Sequence, residues 1–163
     1  MFLFYNRHVG LFLYLERTNA MQGNNIAEYS QIGQGVVFEG VLTQLSDSVI
    51  ANFHKQRGNW KKYLALSKPC ELPLKAMIDS SIRLGIATDV YTFINDDAID
   101  AINDWLLRKG VSVGVMYYSS VEELAYDLRF QRSVRTIYVE TQEQASIIGI
   151  RSHVVDTKKA WIN

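Results

Sequence analysis

The strongest constraint on the fold is a regular alternation of short apolar strands and amphipathic helices between residues 86 and 155. Strand-like runs cover 86–94, 111–117, 136–139 and 151–155, and each interval between them holds a helical pattern. Strands that alternate with helices over short connections pair in parallel through right-handed crossovers. We therefore predict an α/β fold with a mostly parallel sheet and flanking helices, Rossmann-like in this half of the chain.

Helix-start and helix-stop residues separate these predicted strands. Thr141 and Gln144 form a capping-box pattern, and Gly110 and Gly149 stand where two helices end. The helix before Gly110 carries one apolar stripe, formed by Ile99, Ile102, Trp105 and Leu106. The candidate N-caps of the three helices are Asn95 or Asp96, Ser119 or Ser120, and Thr141.

The first half of the chain has a more mixed pattern. A hairpin joined at residues 6–8 and a strand over 35–42, weakened at Gly40, would extend the sheet or form a flanking antiparallel piece. Ser46 can cap a helix towards Arg57, and 74–84 is predicted to be helical. Both prolines fall within 69–73, a possible seam that we interpret as a turn inside one α/β domain spanning 1–163.

Charge and cysteine content narrow the functional class. Lys plus Arg and Asp plus Glu both number 17, so the net charge is zero and nucleic acid is a disfavoured partner. The single cysteine, Cys70, permits no internal disulfide, and no apolar run is long enough to span a membrane. We expect a soluble cytoplasmic protein.

Three segments resemble motifs of the haloacid dehalogenase (HAD) superfamily over residues 85–155, about half of the chain. Ile86-Ala87-Thr88-Asp89-Val90-Tyr91-Thr92 is similar to the first motif, in which a strand ends in Asp-x-Asp-x-Thr/Val. The run 106–120, ending in Ser119-Ser120, resembles the second motif, and 137–155, with Glu140, resembles the acidic fourth motif.

The resemblance implies a phosphoryl-transfer site that holds Mg²⁺. It would make Asp89 the nucleophile and a metal ligand, Ser119 or Ser120 a phosphate ligand, and Glu140 a second metal ligand. Tyr91 occupies the general acid position, where the family has a second Asp, and its ordinary pKa near 10 suits that role poorly. Arg132 is one of the arginines available for phosphate, because no lysine lies between Ser120 and Glu140.

The sequence therefore leaves three functional hypotheses. The leading one is a non-catalytic binding or regulatory domain that needs no cofactor and binds a protein partner or a small phosphorylated ligand; the resemblance implies that it is a degenerate HAD-like domain. The alternative is a small Mg²⁺-dependent phosphohydrolase that uses Asp89, Ser119 and Glu140. The third is a nucleic-acid-binding accessory protein, because Lys55, Arg57, Lys61 and Lys62 interleave with Trp60 and Tyr63.

Overall fold

The structure is a computed structural model that describes residues 33–131, 133–149 and 151–158. The hairpin predicted at residues 6–8 lies outside these residues. The strands are β1 (Gly33–Val37), β2 (Thr43–Gln44), β3 (Lys68–Pro69), β4 (Ala87–Thr92), β5 (Gly114–Tyr117), β6 (Thr136–Val139) and β7 (Ser152–Val154). The helices are α1 (Val49–Gln56), α2 (Trp60–Ala65), α3 (Glu71–Ile78), α4 (Ile99–Arg108), α5 (Val121–Leu128) and α6 (Gln142–Ile148), with a π-helical turn at Asp79–Arg83 and a 3₁₀ turn at Asp96–Ala98.

Five strands form one parallel sheet in the order β5-β4-β1-β6-β7. Val36 of β1 lies opposite Val90 of β4 on one side and opposite Tyr138 of β6 on the other. The short strands β2 and β3 form a separate antiparallel pair. The predicted α/β fold with a mostly parallel sheet is confirmed, and the strand contributed by the first half takes the central position of the sheet.

One hydrophobic core joins the flanking helices to the sheet. The four stripe residues predicted for α4, from Ile99 to Leu106, are all buried. Trp105 meets the ring of Phe38 edge to face, with ring centroids 5.3 Å apart. Residues on both sides of 69–73, such as Leu64 and Leu74, belong to the same buried cluster.

Local signals place most helix starts. Thr141 caps α6 in a complete capping box with Gln144, as predicted. The predicted cap of α1 is wrong by two residues, because the amide of Ala51 donates to the Ser48 hydroxyl, whereas the bonds of the Ser46 side chain are to the amide and hydroxyl of Ser48.

The helix predicted over 74–84 changes character before it ends. It continues from α3 into the π-helical turn, in which Ser80 is buried. The amide of Gln34, in the central strand, donates to the Ser80 hydroxyl at 2.7 Å and to the Thr88 hydroxyl at 2.8 Å. This polar contact fixes the turn to β1 and β4, so the buried polar groups are satisfied where the regular helix stops.

Candidate functional site

The strand order defines where a ligand crevice can form. The chain proceeds from β1 to β4 and β5 on one side of the sheet and then returns to β6 and β7 on the other side. In open parallel sheets, ligands bind beyond the carboxyl ends of the strands at such a reversal. Here that position lies between the residues after β1, Glu39 and Gly40, and the residue after β6, Glu140. We call the space that these three residues line the central crevice.

Glu39 ties the end of the central strand to the end of β4. Its Oε1 accepts hydrogen bonds from the Thr92 hydroxyl, from the amide of Phe93 at 2.9 Å and from the amide of Ile94 at 3.1 Å. Its Oε2 is buried and has no hydrogen-bond partner among the described residues. Burial raises the pKa of this carboxyl above its ordinary value, against the lowering effect of the hydrogen bonds.

Glu39 was not among the residues singled out by the sequence. The predicted strand ran through 35–42, which placed Glu39 within a strand, whereas β1 ends at Val37 and Gly40 turns the chain with a φ of 76°. The one local signal for this position is a carboxylate and a glycine directly after an apolar run.

Glu140 covers Gly40 and fills the crevice. A Cβ added to Gly40 would displace the Glu140 carboxylate, the movable end of an exposed side chain, and the φ of 76° at Gly40 itself favours glycine. The amide of Glu140 donates to the Gln144 side chain at 2.9 Å, which fixes the backbone at the start of α6. The predicted metal ligand Glu140 therefore lies in the central crevice, beside Gly40.

Asp89 and Tyr91 lie within β4, away from this edge. Asp89 pairs with Gly35 and Gly114 in the sheet, three residues before the strand ends at Thr92, or about 10 Å short of it. Its Oδ1 would lie 3.2 Å from a Cβ placed on Gly114. The structure therefore places the predicted nucleophile beside small residues in the sheet and does not bring it to the crevice.

Tyr91 is fully buried with its ring over Gly35. A Cβ on Gly35 would lie 2.3 Å from the Tyr91 ring, and the ring meets that of Tyr118 edge to face at 5.8 Å. The hydroxyl is buried without a hydrogen-bond partner among the described residues. Burial, and then the nearby Asp89 carboxylate, raise the pKa of Tyr91 well above its ordinary value, which makes proton release at neutral pH still less favourable.

Ser119 and Ser120 form hydrogen bonds at the N-terminus of α5. The Ser120 hydroxyl accepts from the amide of Glu123 at 3.1 Å, and the amide and hydroxyl of Ser119 donate to the Glu123 carboxylate at 2.7 and 2.8 Å. Both serines follow β5, which is an edge strand two positions from β1. The two strands are therefore roughly 10 Å apart across the sheet. Arg132, the predicted phosphate ligand, lies outside the described residues.

The described residues do not form a metal centre. No group of three or more His, Cys, Asp or Glu side chains in 33–131, 133–149 and 151–158 is arranged to hold a metal ion. The crevice supplies two carboxylates, and one oxygen of Glu39 already accepts hydrogen bonds from β4 and the residues after it. These residues do not fit Mg²⁺, which needs near-octahedral oxygen coordination and usually keeps several waters.

A second concave surface opens beside the crevice, at the end of β4. It is a groove of about 680 Å³. We call it the Trp60 groove, after the half-buried indole in one wall. Lys55 and Arg57 of the basic cluster line it, whereas Tyr63 is buried in the core and Lys61 is paired with Asp104 at 2.7 Å. The structure therefore divides the basic cluster and brings only part of it to a surface that could hold a ligand.

Comparison with models of known protein families, with curated protein sequences and with solved structures finds no match. Among the helices in the described part of the chain, none is long and apolar enough to cross a bilayer.

Proposed function

We propose that the chain is a non-catalytic binding domain of the cytoplasm, built on a degenerate HAD-like fold. The observation that carries this proposal is the state of Glu39, the carboxylate at the end of the central strand. Its accepting oxygen is occupied by the end of β4, and its other oxygen is buried. A carboxylate held in this way supports the sheet and is not presented to a substrate.

The HAD-like motif that residues 86–92 resemble needs Asp89 at the site of the phosphoryl group. Asp89 lies within β4, about 10 Å before the strand ends at Thr92, so it is remote from the crevice. A covalent step needs its nucleophile in contact with phosphorus, and this distance supports binding without that step. The Thr92 hydroxyl, at the end of β4, is engaged with Glu39.

Electrostatics in the crevice also oppose phosphoryl transfer. A phosphate that entered would meet the exposed carboxylate of Glu140 over Gly40. Carboxylates that face an anion need a cation between them, and the described residues offer no metal set to hold one. Binding without turnover is the activity that this arrangement supports best.

The test is hydrolysis of p-nitrophenyl phosphate with and without Mg²⁺ by the wild type, Asp89→Asn and Glu39→Gln. We expect all three proteins to give the same background rate, with no dependence on the metal. Mg²⁺-dependent turnover that disappears in Asp89→Asn would contradict the proposal and support the phosphohydrolase hypothesis. Turnover that disappears only in Glu39→Gln would also contradict it and assign the chemistry to the central crevice.

A further inference from the structure

The Trp60 groove lies next to the central crevice but presents a different charge. One wall is the segment after β4, with Ile94, Asn95 and Asp97, and the other is contributed by α1, α2 and the turn between them. Ile94 connects the two sites, because its amide donates to Glu39. The Glu39 contact thus helps to position the wall of a groove that a ligand can enter without displacing either crevice carboxylate.

Two exposed cations of the groove each lie over an aromatic ring. The Arg57 guanidinium lies 4.3 Å from the centroid of the Phe53 ring, and the Lys55 ammonium lies 5.9 Å from that of Tyr63. Neither has a carboxylate partner within salt-bridge distance among the described residues, in contrast to Lys61. Ring contacts of this kind are worth about 0.5–1 kcal/mol at exposed sites, so they favour these positions of the two charges before an anion binds.

Trp60 supplies a flat apolar surface in the same groove. Its ring is half-buried and fixed edge to face against Tyr63, with centroids 6.1 Å apart and planes at 73°. Side-chain amides of Asn52, Gln56 and Asn95 also line the groove. A fixed indole, amide groups and a pair of cations together match a ligand that has a planar ring, polar ring edges and a negative group.

We propose that the Trp60 groove binds a single nucleotide-like ligand, namely a phosphate group linked to a planar heterocycle. The ring stacks on Trp60, and the phosphate is bound by Lys55 and Arg57. This assignment rests on the proposed binding function and adds to it the chemical class of the ligand. The volume of about 680 Å³ lies in the usual range of roughly 300–1,000 Å³ for small-molecule sites.

The charges favour a mononucleotide over a nucleic-acid strand. The charged side chains that line the groove are the cations Lys55 and Arg57 and the carboxylate Asp97. That set can neutralise one phosphate but not a series of phosphates along a backbone, and the whole chain has no basic excess. A strand-binding groove needs a continuous positive track with several stacking rings.

The test is isothermal titration of the full chain with adenosine 5′-monophosphate, adenosine, inorganic phosphate and a short oligothymidylate as separate probes. We expect the monophosphate to bind, adenosine to bind at least tenfold more weakly, and phosphate to compete with the monophosphate. Loss of the charge in Arg57→Gln should lower the affinity for the monophosphate by about tenfold or more. The matched control is Lys62→Gln, which removes an exposed cation from α2 outside the groove and should change affinity by less than about twofold.

Ring stacking is tested with two substitutions of one residue. Trp60→Phe keeps an aromatic face and should retain more affinity than Trp60→Leu. Thermal unfolding of both variants shows whether they are folded. If a substitution at Trp60 prevents folding, Arg57→Gln still tests the groove, because it leaves Trp60 unchanged.

Three results would overturn the inference. They are the absence of monophosphate binding at millimolar concentration, equal affinity for adenosine and its monophosphate, and oligothymidylate binding that is tighter than monophosphate binding and falls steeply with salt. None of these results bears on turnover, so a failure of the nucleotide assignment is distinguishable from a failure of the proposed non-catalytic function.

Discussion

Replacing Glu39 by alanine removes the acceptor that joins the end of β1 to the end of β4. Three donors lose this acceptor: the Thr92 hydroxyl and the amides of Phe93 and Ile94, of which the Ile94 amide keeps the Thr92 hydroxyl oxygen at 3.2 Å. Each donor left buried without an acceptor costs about 1–3 kcal/mol. Thr92 is fully buried, whereas Phe93 and Ile94 are half-buried, so water compensates part of the loss at the two amides.

We therefore expect Glu39→Ala to lose about 2–5 kcal/mol of unfolding free energy at neutral pH. Glu39→Gln keeps an oxygen at the accepting position and should lose about 1 kcal/mol or less. Equilibrium unfolding in urea, followed by tryptophan fluorescence to which the buried Trp105 contributes, measures both changes. With an ordinary urea dependence, the midpoint of the alanine variant should fall by roughly 1–2 M.

The comparison between the two variants decides whether this reasoning is sound. Equal stability of Glu39→Ala and Glu39→Gln would show that the accepting oxygen contributes nothing to the fold. The account of Glu39 as the residue that holds β4 and the adjoining groove wall would then be refuted.

Further predictions concern pH and packing at the same sites. Burial raises the pKa of Glu39 above its ordinary value of 4.5, so at a pH between the unfolded and the folded pKa the folded chain binds a proton that the unfolded chain has lost. The stability of the wild type should therefore fall relative to that of Glu39→Gln as pH rises from 4.5 through the folded pKa, by at most about 1.4 kcal/mol per pH unit. Urea titrations in which the stability of the two proteins depends on pH in the same way would contradict this. Gly40→Ala should lower the free energy of unfolding by about 1–2 kcal/mol because the φ of Gly40 is 76°. A further loss from the clash with Glu140 should disappear in the double variant with Glu140→Ala. Additive losses would show that the two residues do not touch. Gly35→Ala should lose about 1–3 kcal/mol or more against the fully buried Tyr91 ring, and wild-type stability in this variant would exclude the contact. Tyr91→Phe removes a buried hydroxyl that has no described partner and should raise stability by about 1 kcal/mol, whereas a loss of that size would point to a hydrogen bond.

The elements that sequence reasoning placed well are those with local signals. The strand Thr136–Val139 and the helix that follows it were predicted from an apolar run and a capping box, and both were found. Ser120 could be named as a cap for the same reason, since it bonds an amide only three residues away. Such contacts are encoded within a few positions and need no knowledge of the tertiary fold.

The central place of β1 could not be predicted in this way. Its pairing joins Gly33–Val37 to strands that lie about 50 and 100 residues further along the chain. Gly33 and Gly35 also weaken the strand signal, although the space above Gly35 is needed by the Tyr91 ring. Parallel pairing over these separations leaves no local trace that a single sequence can reveal.

The candidate site was missed for a related reason. Asp89 was chosen because residues 86–92 resemble a motif in which the strand ends at the aspartate, but β4 continues past it and pairs with β5 as far as Thr92 and Tyr117. Glu39 was overlooked because its partners, Thr92 to Ile94, lie more than 50 positions away. Among the predicted site residues, Glu140 lies at the crevice. This position could be predicted because the apolar run Thr136–Val139 correctly located the end of β6.

The central claim, that this domain binds a ligand without transforming it, is tested most directly under single-turnover conditions. A limiting amount of adenosine 5′-monophosphate is incubated with excess wild-type protein and Mg²⁺, and the mixture is then quenched and separated by chromatography. The account predicts that the nucleotide is bound at the start and recovered unchanged after prolonged incubation. Release of adenosine and inorganic phosphate that requires Mg²⁺ and is absent in Asp89→Asn would contradict it.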